Sequence, residues 1–210
     1  MSSVSKVSEL RTRARQKIEE GALTADYKLN VTEAVGLLNE ALATELVCVL
    51  RYRFHYFMAS GIHSAGIAQE FLQHSDEELG HADQIAERIK QLGGKPEMNP
   101  EVISKKSHSE YKEGTTLPDM LKEDLIAERI AIESYREMIH YFGEQDSTTR
   151  RMLEEILAVE EEHADELADF LFAVEPEKTK PRHLYAQDEA PATSKVTTPP
   201  KQAKASAGKR

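Results

Sequence analysis

Four segments of this chain place apolar side chains at alternating steps of three and four residues, a spacing that lays them along one face of an α-helix. The first, about residues 30 to 59, carries Leu38, Leu42, Val49, Tyr52 and Tyr56 on that face, and the second, about 64 to 92, carries Ile67, Phe71, Ile85 and Leu92. The third, about 118 to 142, runs through Leu121, Leu125, Ile132, Tyr135 and Ile139, and the fourth, about 147 to 174, through Leu153, Ile156, Leu167, Phe170 and Val174. Each stripe predicts an amphipathic helix of about 25 to 30 residues, about 40 Å long. Strand-type alternation is nearly absent, so the helices have only one another to pack against, and an all-α four-helix bundle follows. The links predict its wiring. Short connections near residues 60–61 and 143–146 make the first and second helices, and the third and fourth, antiparallel neighbours. The stretch 93–117, with Gly93, Gly94, Pro96 and Pro100, is long enough to cross the length of the bundle, which gives up, down, down, up connectivity. Asp146 or Ser147 is placed to cap the fourth helix, and Gly93 to close the second.

The same stripes carry six ionisable side chains. Glu45, Glu78, Glu128 and Glu160 each occupy an inward step of a different helix, and His81 and His163 follow two of them at i+3, on the same face. Burying one unpaired carboxylate costs several kcal/mol, and a fold stable by about 5 to 15 kcal/mol cannot absorb that four times over. A cationic partner is required. The pattern also occurs twice: Glu45 precedes Glu78 by 33 residues and Glu128 precedes Glu160 by 32. Glu78-Leu79-Gly80-His81-Ala82-Asp83 matches Glu160-Glu161-Glu162-His163-Ala164-Asp165, and Tyr52 and Tyr135 each stand seven residues after the first glutamate of their half. This internal duplication predicts a site with pseudo-twofold symmetry at the bundle centre. Four carboxylates balance the charge of two divalent ions, and few nitrogens with no thiolate suit hard or borderline metals. By symmetry Glu78 and Glu160 bridge the ions, about 3.5 to 4 Å apart, while Glu45 and Glu128 are terminal and His81 and His163 each cap one. Two adjacent ferrous ions in such a site can reduce dioxygen by two electrons, which is ferroxidase chemistry.

Composition narrows the alternatives. A chain of 210 residues with 40% hydrophobic and 30% charged side chains is expected to form one domain, and no apolar window is long enough to span a membrane. The N-terminus has no signal-like apolar run, so a cytoplasmic location is expected. The lone Cys48 excludes an internal disulfide, a CxxC pair and a sulfur-ligated iron site, and reads as a small buried hydrophobe. The net charge of -10 is uneven: residues 21–174 hold 14 basic against 30 acidic side chains, whereas both ends are mildly basic. We therefore expect an N-terminal extension at 1–26, the bundle at 27–174, and a disordered basic tail rich in Pro, Lys and Ala at 175–210.

The sequence resembles the bacterioferritin branch of the ferritin family over about residues 30 to 173. The resemblance is carried by Ala43-Thr44-Glu45-Leu46-Val47, Asp76-Glu77-Glu78-Leu79-Gly80-His81-Ala82-Asp83, Asp124-Leu125-Ile126-Ala127-Glu128 and Glu160-Glu161-Glu162-His163. It implies a ferritin-like bundle that assembles into a hollow shell, oxidises Fe(II) with O2 or H2O2 and stores the ferric product. Residue by residue it implies two iron ions per subunit, with manganese as the other candidate, held by Glu45, Glu78, His81, Glu128, Glu160 and His163. Tyr52 falls on a tyrosine beside that site, where electron donation is its functional reading. Three departures stand out. Leu79 occupies the position of the haem-ligating methionine, so no haem is expected there. Nothing after Val174 reads as a fifth helix, which leaves shells of 12 and 24 subunits both open. The basic ends, notably Arg11, Arg13, Arg15 and Lys17, are similar to the DNA-holding arms of some Dps proteins. A Dps-like DNA-protecting protein and a di-manganese catalase or rubrerythrin-like peroxidase are the alternative readings. His74, one turn before Glu78 on the inward stripe, is expected to pack, with transient iron binding as its second role.

Overall fold

Capping chemistry sets where the helices begin. Asn30 accepts from the backbone N–H groups of Thr32 and Glu33, Asn99 from that of Glu101, Thr116 from that of Asp119, and Asp146 from that of Thr149. The computed structural model describes residues 6–62 and 64–179, and among these every regular element is helical. In chain order they are α1 (Val7–Arg13), a 3-10 turn (Ile18–Glu20), α2 (Val31–Met58), α3 (Ser64–Gln91), α4 (Pro100–Lys106), α5 (Leu117–Phe142) and α6 (Ser147–Val174). Pro118 sits in the first turn of α5, where its missing N–H costs nothing, and Gly93 and Gly143 take positive φ just beyond α3 and α5. No helix among the described residues is long and apolar enough to cross a membrane.

The long helices α2, α3, α5 and α6 form a four-helix bundle. Pairings across the interior fix its sense: Glu45 meets Tyr135 and Arg51 meets Asp124, so α2 and α5 are antiparallel, while His74 meets Glu166 and Arg88 meets Asp146, so α3 and α6 are antiparallel too. With antiparallel hairpins joining α2 to α3 and α5 to α6, the connectivity is up, down, down, up. The crossover between α3 and α5 differs from a bare connection, because it contains α4. That short helix lies on the outer side of α2, where Ile103 packs with Ala43 and Val47.

Two apolar clusters fill the bundle. Leu38, Leu42, Ile85, Ile89, Phe142, Leu153 and Ile156 occupy one end, and Cys48, Tyr52, Ile67, Phe71, Leu121 and Leu167 the other. The ionisable side chains lie in the waist between them. Leu23, Tyr27 and Leu29 dock the segment before α2 against the first cluster, whereas α1 buries nothing. A turn at 175–179 follows α6; the rest of the tail expected to be disordered, residues 180–210, lies outside the described residues.

Candidate metal centre

Helix geometry brings all six inward ionisable residues together. Glu45, Glu78, Glu128 and Glu160 are each no more than 1% exposed, and His81 and His163 are buried beside them. Two groups of potential ligands result, each with its ligand atoms within 4.8 Å of one another: Glu45, Glu78, His81 and Glu160, and Glu78, Glu128, Glu160 and His163. The two groups thus overlap at Glu78 and Glu160 alone.

The polar atoms here lack adequate protein partners. Glu45 Oε2, Glu78 Oε1, Glu128 Oε2, both Glu160 oxygens and His163 Nδ1 are buried without a hydrogen bond. Each such atom costs about 1 to 3 kcal/mol, more if charged. His81 Nδ1 faces Glu160 Oε1 at 2.9 Å and Glu45 Oε2 and Glu78 Oε2 at 3.4 Å each. One ring nitrogen cannot donate to three carboxylates. Ligands in neighbouring positions around an octahedral ion with bonds of about 2.1 Å are about 3 Å apart, so this crowding is what a divalent cation would resolve. His163 Nδ1 likewise lies 3.4 Å from Glu78 Oε1 and 3.9 Å from Glu160 Oε2.

The carboxylates repel one another as expected of close like charges. Burial, followed by the charge of Glu78, raises the pKa of Glu45 and Glu160 well above the ordinary range, and the same two causes raise Glu128. Burial pushes Glu78 upward as well, but hydrogen bonding with Glu45, His163 and His81 outweighs it and holds this carboxyl low. Burial disfavours the charged imidazoles, yet the surrounding carboxylates raise His81 to about 10 and His163 to about 9. Divalent ions binding among these groups would have to displace the protons that the raised pKa values favour.

A second layer of side chains orients these groups. Tyr52 of α2 donates to Glu128 Oε1 on α5, and Tyr135 of α5 donates to Glu45 Oε1 on α2, a reciprocal pair that follows the pseudo-twofold. Tyr52 thus lies against the clustered carboxylates, and Tyr135 is its equivalent on the other helix. Glu77 Oε2 lies 2.7 Å from His163 Nε2; a proton on that nitrogen leaves the Nδ1 lone pair facing the centre. One turn from Glu128, Asp124 accepts from Arg51 Nε at 2.8 Å and pairs with His55 Nδ1 at 2.7 Å, all three fully buried. Arg51 also donates to Ser109 Oγ and to the Glu110 carbonyl, tying the crossover to α2. Sequence periodicity did not single out Glu77, Tyr135 as a donor, or the Arg51–Asp124–His55 cluster. Only the unusual placement of Arg51 and His55 amid apolar α2 residues could have signalled the last. Leu79 is 42% exposed on the outer side of α3 and offers no ligand atom. Cys48 is buried, with Arg51 Nη2 3.5 Å from its sulfur. His74 is buried and stacks on His163 with ring centroids 3.9 Å apart.

Comparison with known proteins places this architecture. A family model described as a ferritin-like domain matches residues 35–175. The bacterioferritin of Mycobacterium avium is 32% identical over 136 residues, which cover 64% of this chain and 81% of that protein. A solved structure of the bacterioferritin-related protein from Bacteroides fragilis, described as a dodecameric thioferritin, superposes with a TM-score of 0.69 at 32% identity, covering 72% of this chain and 91% of that one. Dps from Thermosynechococcus elongatus, at 20% identity, shares the fold with a TM-score of 0.65 over 67% of this chain and 90% of its own.

Proposed function

The chain belongs to the ferritin-like family, with bacterioferritins among its relatives, and from that premise we propose that it is a ferroxidase: it oxidises Fe(II) with O2 or peroxide at a two-ion centre inside each subunit, for iron storage and detoxification in a hollow homo-oligomer. The observation that carries this reading is the pair of four-residue ligand groups sharing Glu78 and Glu160, in which every carboxylate keeps at least one buried oxygen without a hydrogen bond. Ions so placed supply one electron each, so that 2 Fe(II) + O2 + 2 H+ gives 2 Fe(III) + H2O2.

The chain's own residues make this possible in defined ways. Glu78 and Glu160 are the shared carboxylates, Glu45 and Glu128 the terminal ones, and the four negative charges balance two divalent ions. Hard carboxylate oxygens favour the ferric product over the ferrous substrate. His81 and His163 supply one nitrogen at each end. Tyr52 and Tyr135 hold the terminal carboxylates in place, and Tyr52 is also positioned to donate an electron when an oxidising equivalent is left over. The apolar clusters above and below keep the centre dry. The dodecameric description of the Bacteroides fragilis protein supports a 12-subunit shell here.

The test is kinetic. Glu45→Ala and His163→Ala should each slow the initial rate of Fe(II) oxidation by about tenfold or more while the particle stays assembled by native mass spectrometry. Unchanged initial rates in both variants would reject the centre. Metal analysis, with O2 and peroxide compared as oxidants, separates this reading from a di-manganese peroxidase.

A further inference from the structure

Among the positions at which the two repeats differ, four lie together at one end of the bundle. The register that pairs Glu78 with Glu160 and His81 with His163 also pairs His74 with Ile156, Glu77 with Val159, Glu70 with Met152 and Glu166 with Gln84. At these places one end of the bundle has apolar side chains or a neutral amide, whereas the other has three partly exposed carboxylates around a fully buried histidine.

In space these residues are continuous. His74 is wholly buried on α3, and its Nε2 lies 2.9 Å from Glu166 Oε2 on α6. Glu70, one turn earlier on α3, completes a triad whose ligand atoms lie within 4.8 Å of one another. Glu70 and Glu166 are partly exposed, so the triad opens to solvent. His74 also has a buried Nδ1 with no hydrogen-bond partner, an atom free to face a ligand. On its inner side, His74 forms a second triad with Glu77 and His163, again within 4.8 Å. Potential ligand atoms therefore run from solvent to the His163 half of the centre.

We propose that Glu70, His74 and Glu166 form a third divalent-cation site, present on one side of the pseudo-twofold only, from which ions pass by way of Glu77 to the His163 half of the centre. Two carboxylates and one imidazole neutralise a 2+ ion and leave coordination positions for water, which suits a first-row divalent ion in transit rather than a closed structural site. Binding at this triad is independent of the ferroxidase reading; the transit role rests on it.

The experiment is an anaerobic Co(II) titration of the full-length protein, with bound metal counted by equilibrium dialysis and followed by visible absorption. Wild type should bind three ions per chain, and His74→Leu should bind two. The double variant Glu70→Gln/Glu166→Gln, which alters only partly exposed side chains, should also bind two and covers the case in which His74→Leu fails to fold. Glu45→Ala/Glu128→Ala should lose ions at the centre and keep the one at the triad. Two ions in wild type and in the Glu70→Gln/Glu166→Gln variant would overturn the third site while leaving the centre intact. Full binding by Glu45→Ala/Glu128→Ala would instead reject the centre. For transit, the Glu70→Gln/Glu166→Gln variant should slow Fe(II) oxidation about tenfold at limiting iron with unchanged Co(II) affinity at the centre; an unchanged rate would overturn the transit role.

Discussion

Each buried tyrosine engages one oxygen of a buried glutamate and leaves the other free of it. Tyr52 holds Glu128 Oε1 while Glu128 Oε2 accepts no hydrogen bond, and Tyr135 holds Glu45 Oε1 while Glu45 Oε2 accepts none and faces His81 Nδ1 at 3.4 Å. The phenols thus orient carboxylates without using up their capacity to bind a cation. Tyr52→Phe or Tyr135→Phe should weaken Co(II) binding about tenfold, since losing an orienting partner of a metal ligand commonly costs 10- to 100-fold; anaerobic calorimetry reads this directly. The protonation of the site has a further consequence. Glu45, Glu128 and Glu160 bind protons more tightly in the ion-free fold than in the unfolded chain, so their stabilising contribution is complete below 4.5 and is lost as pH climbs through their raised values. His81 and His163 act in the same direction: their contribution is complete below 6.5 and is lost as pH climbs through about 10 and about 9. Glu78 alone has a lowered pKa, and its contribution is lost as pH falls below 4.5. The Tm of the metal-free protein should therefore fall from pH 6.5 to 10, and saturating Co(II) should flatten that slope. A metal-free Tm that rises over this range would contradict the buried, proton-holding site.

Helix α2 differs from the other three because it is buried on two sides. Its inner side carries Leu38, Leu42, Glu45 and Tyr52 toward the bundle, and the crossover with α4 covers Ala43, Val47 and Arg51. A charged residue survives there only because its partners are complete: Arg51 reaches Asp124, Ser109 and the Glu110 carbonyl, while both nitrogens of His55 face acceptors on Asp124 and the Glu113 carbonyl. Arg51→Met leaves Asp124 with a buried, half-compensated charge and should cost about 3 to 5 kcal/mol in urea unfolding. A loss below 1 kcal/mol would show that the cluster is not buried as described. The four long helices were legible in the sequence because each has a single apolar stripe, and their observed ends lie within a residue or so of the predicted ones. Helix α4 was not, since seven residues with only Ile103 buried carry no periodic signal. Among the site residues, Glu45, Glu78, His81, Glu128, Glu160 and His163 were legible as inward positions because the pattern occurs twice. Glu77 and Glu166 were not, because they stand beside the stripe and acquire their roles only when α3 and α6 meet.

The protein is an acidic bundle whose interior gathers four carboxyl groups and two imidazoles at its waist. Residues 21–174 carry 30 acidic side chains against 14 basic, and such a charge excess draws cations toward the surface before any specific ligand is reached. Inside, helix spacing delivers four carboxylates and two imidazoles to one level, two apolar clusters seal that level from both ends, and hydrogen bonds among the six leave oxygens unanswered. The fold follows from the stripes, and the chemistry follows from what the stripes are made to bury. Anomalous diffraction from crystals loaded anaerobically with Fe(II), recorded at the iron edge, examines this most directly. Two peaks about 3.5 to 4 Å apart, both contacting Glu78 and Glu160, with His81 on one and His163 on the other, are the predicted result. A waist without iron, or a single ion held by one half alone, would contradict it.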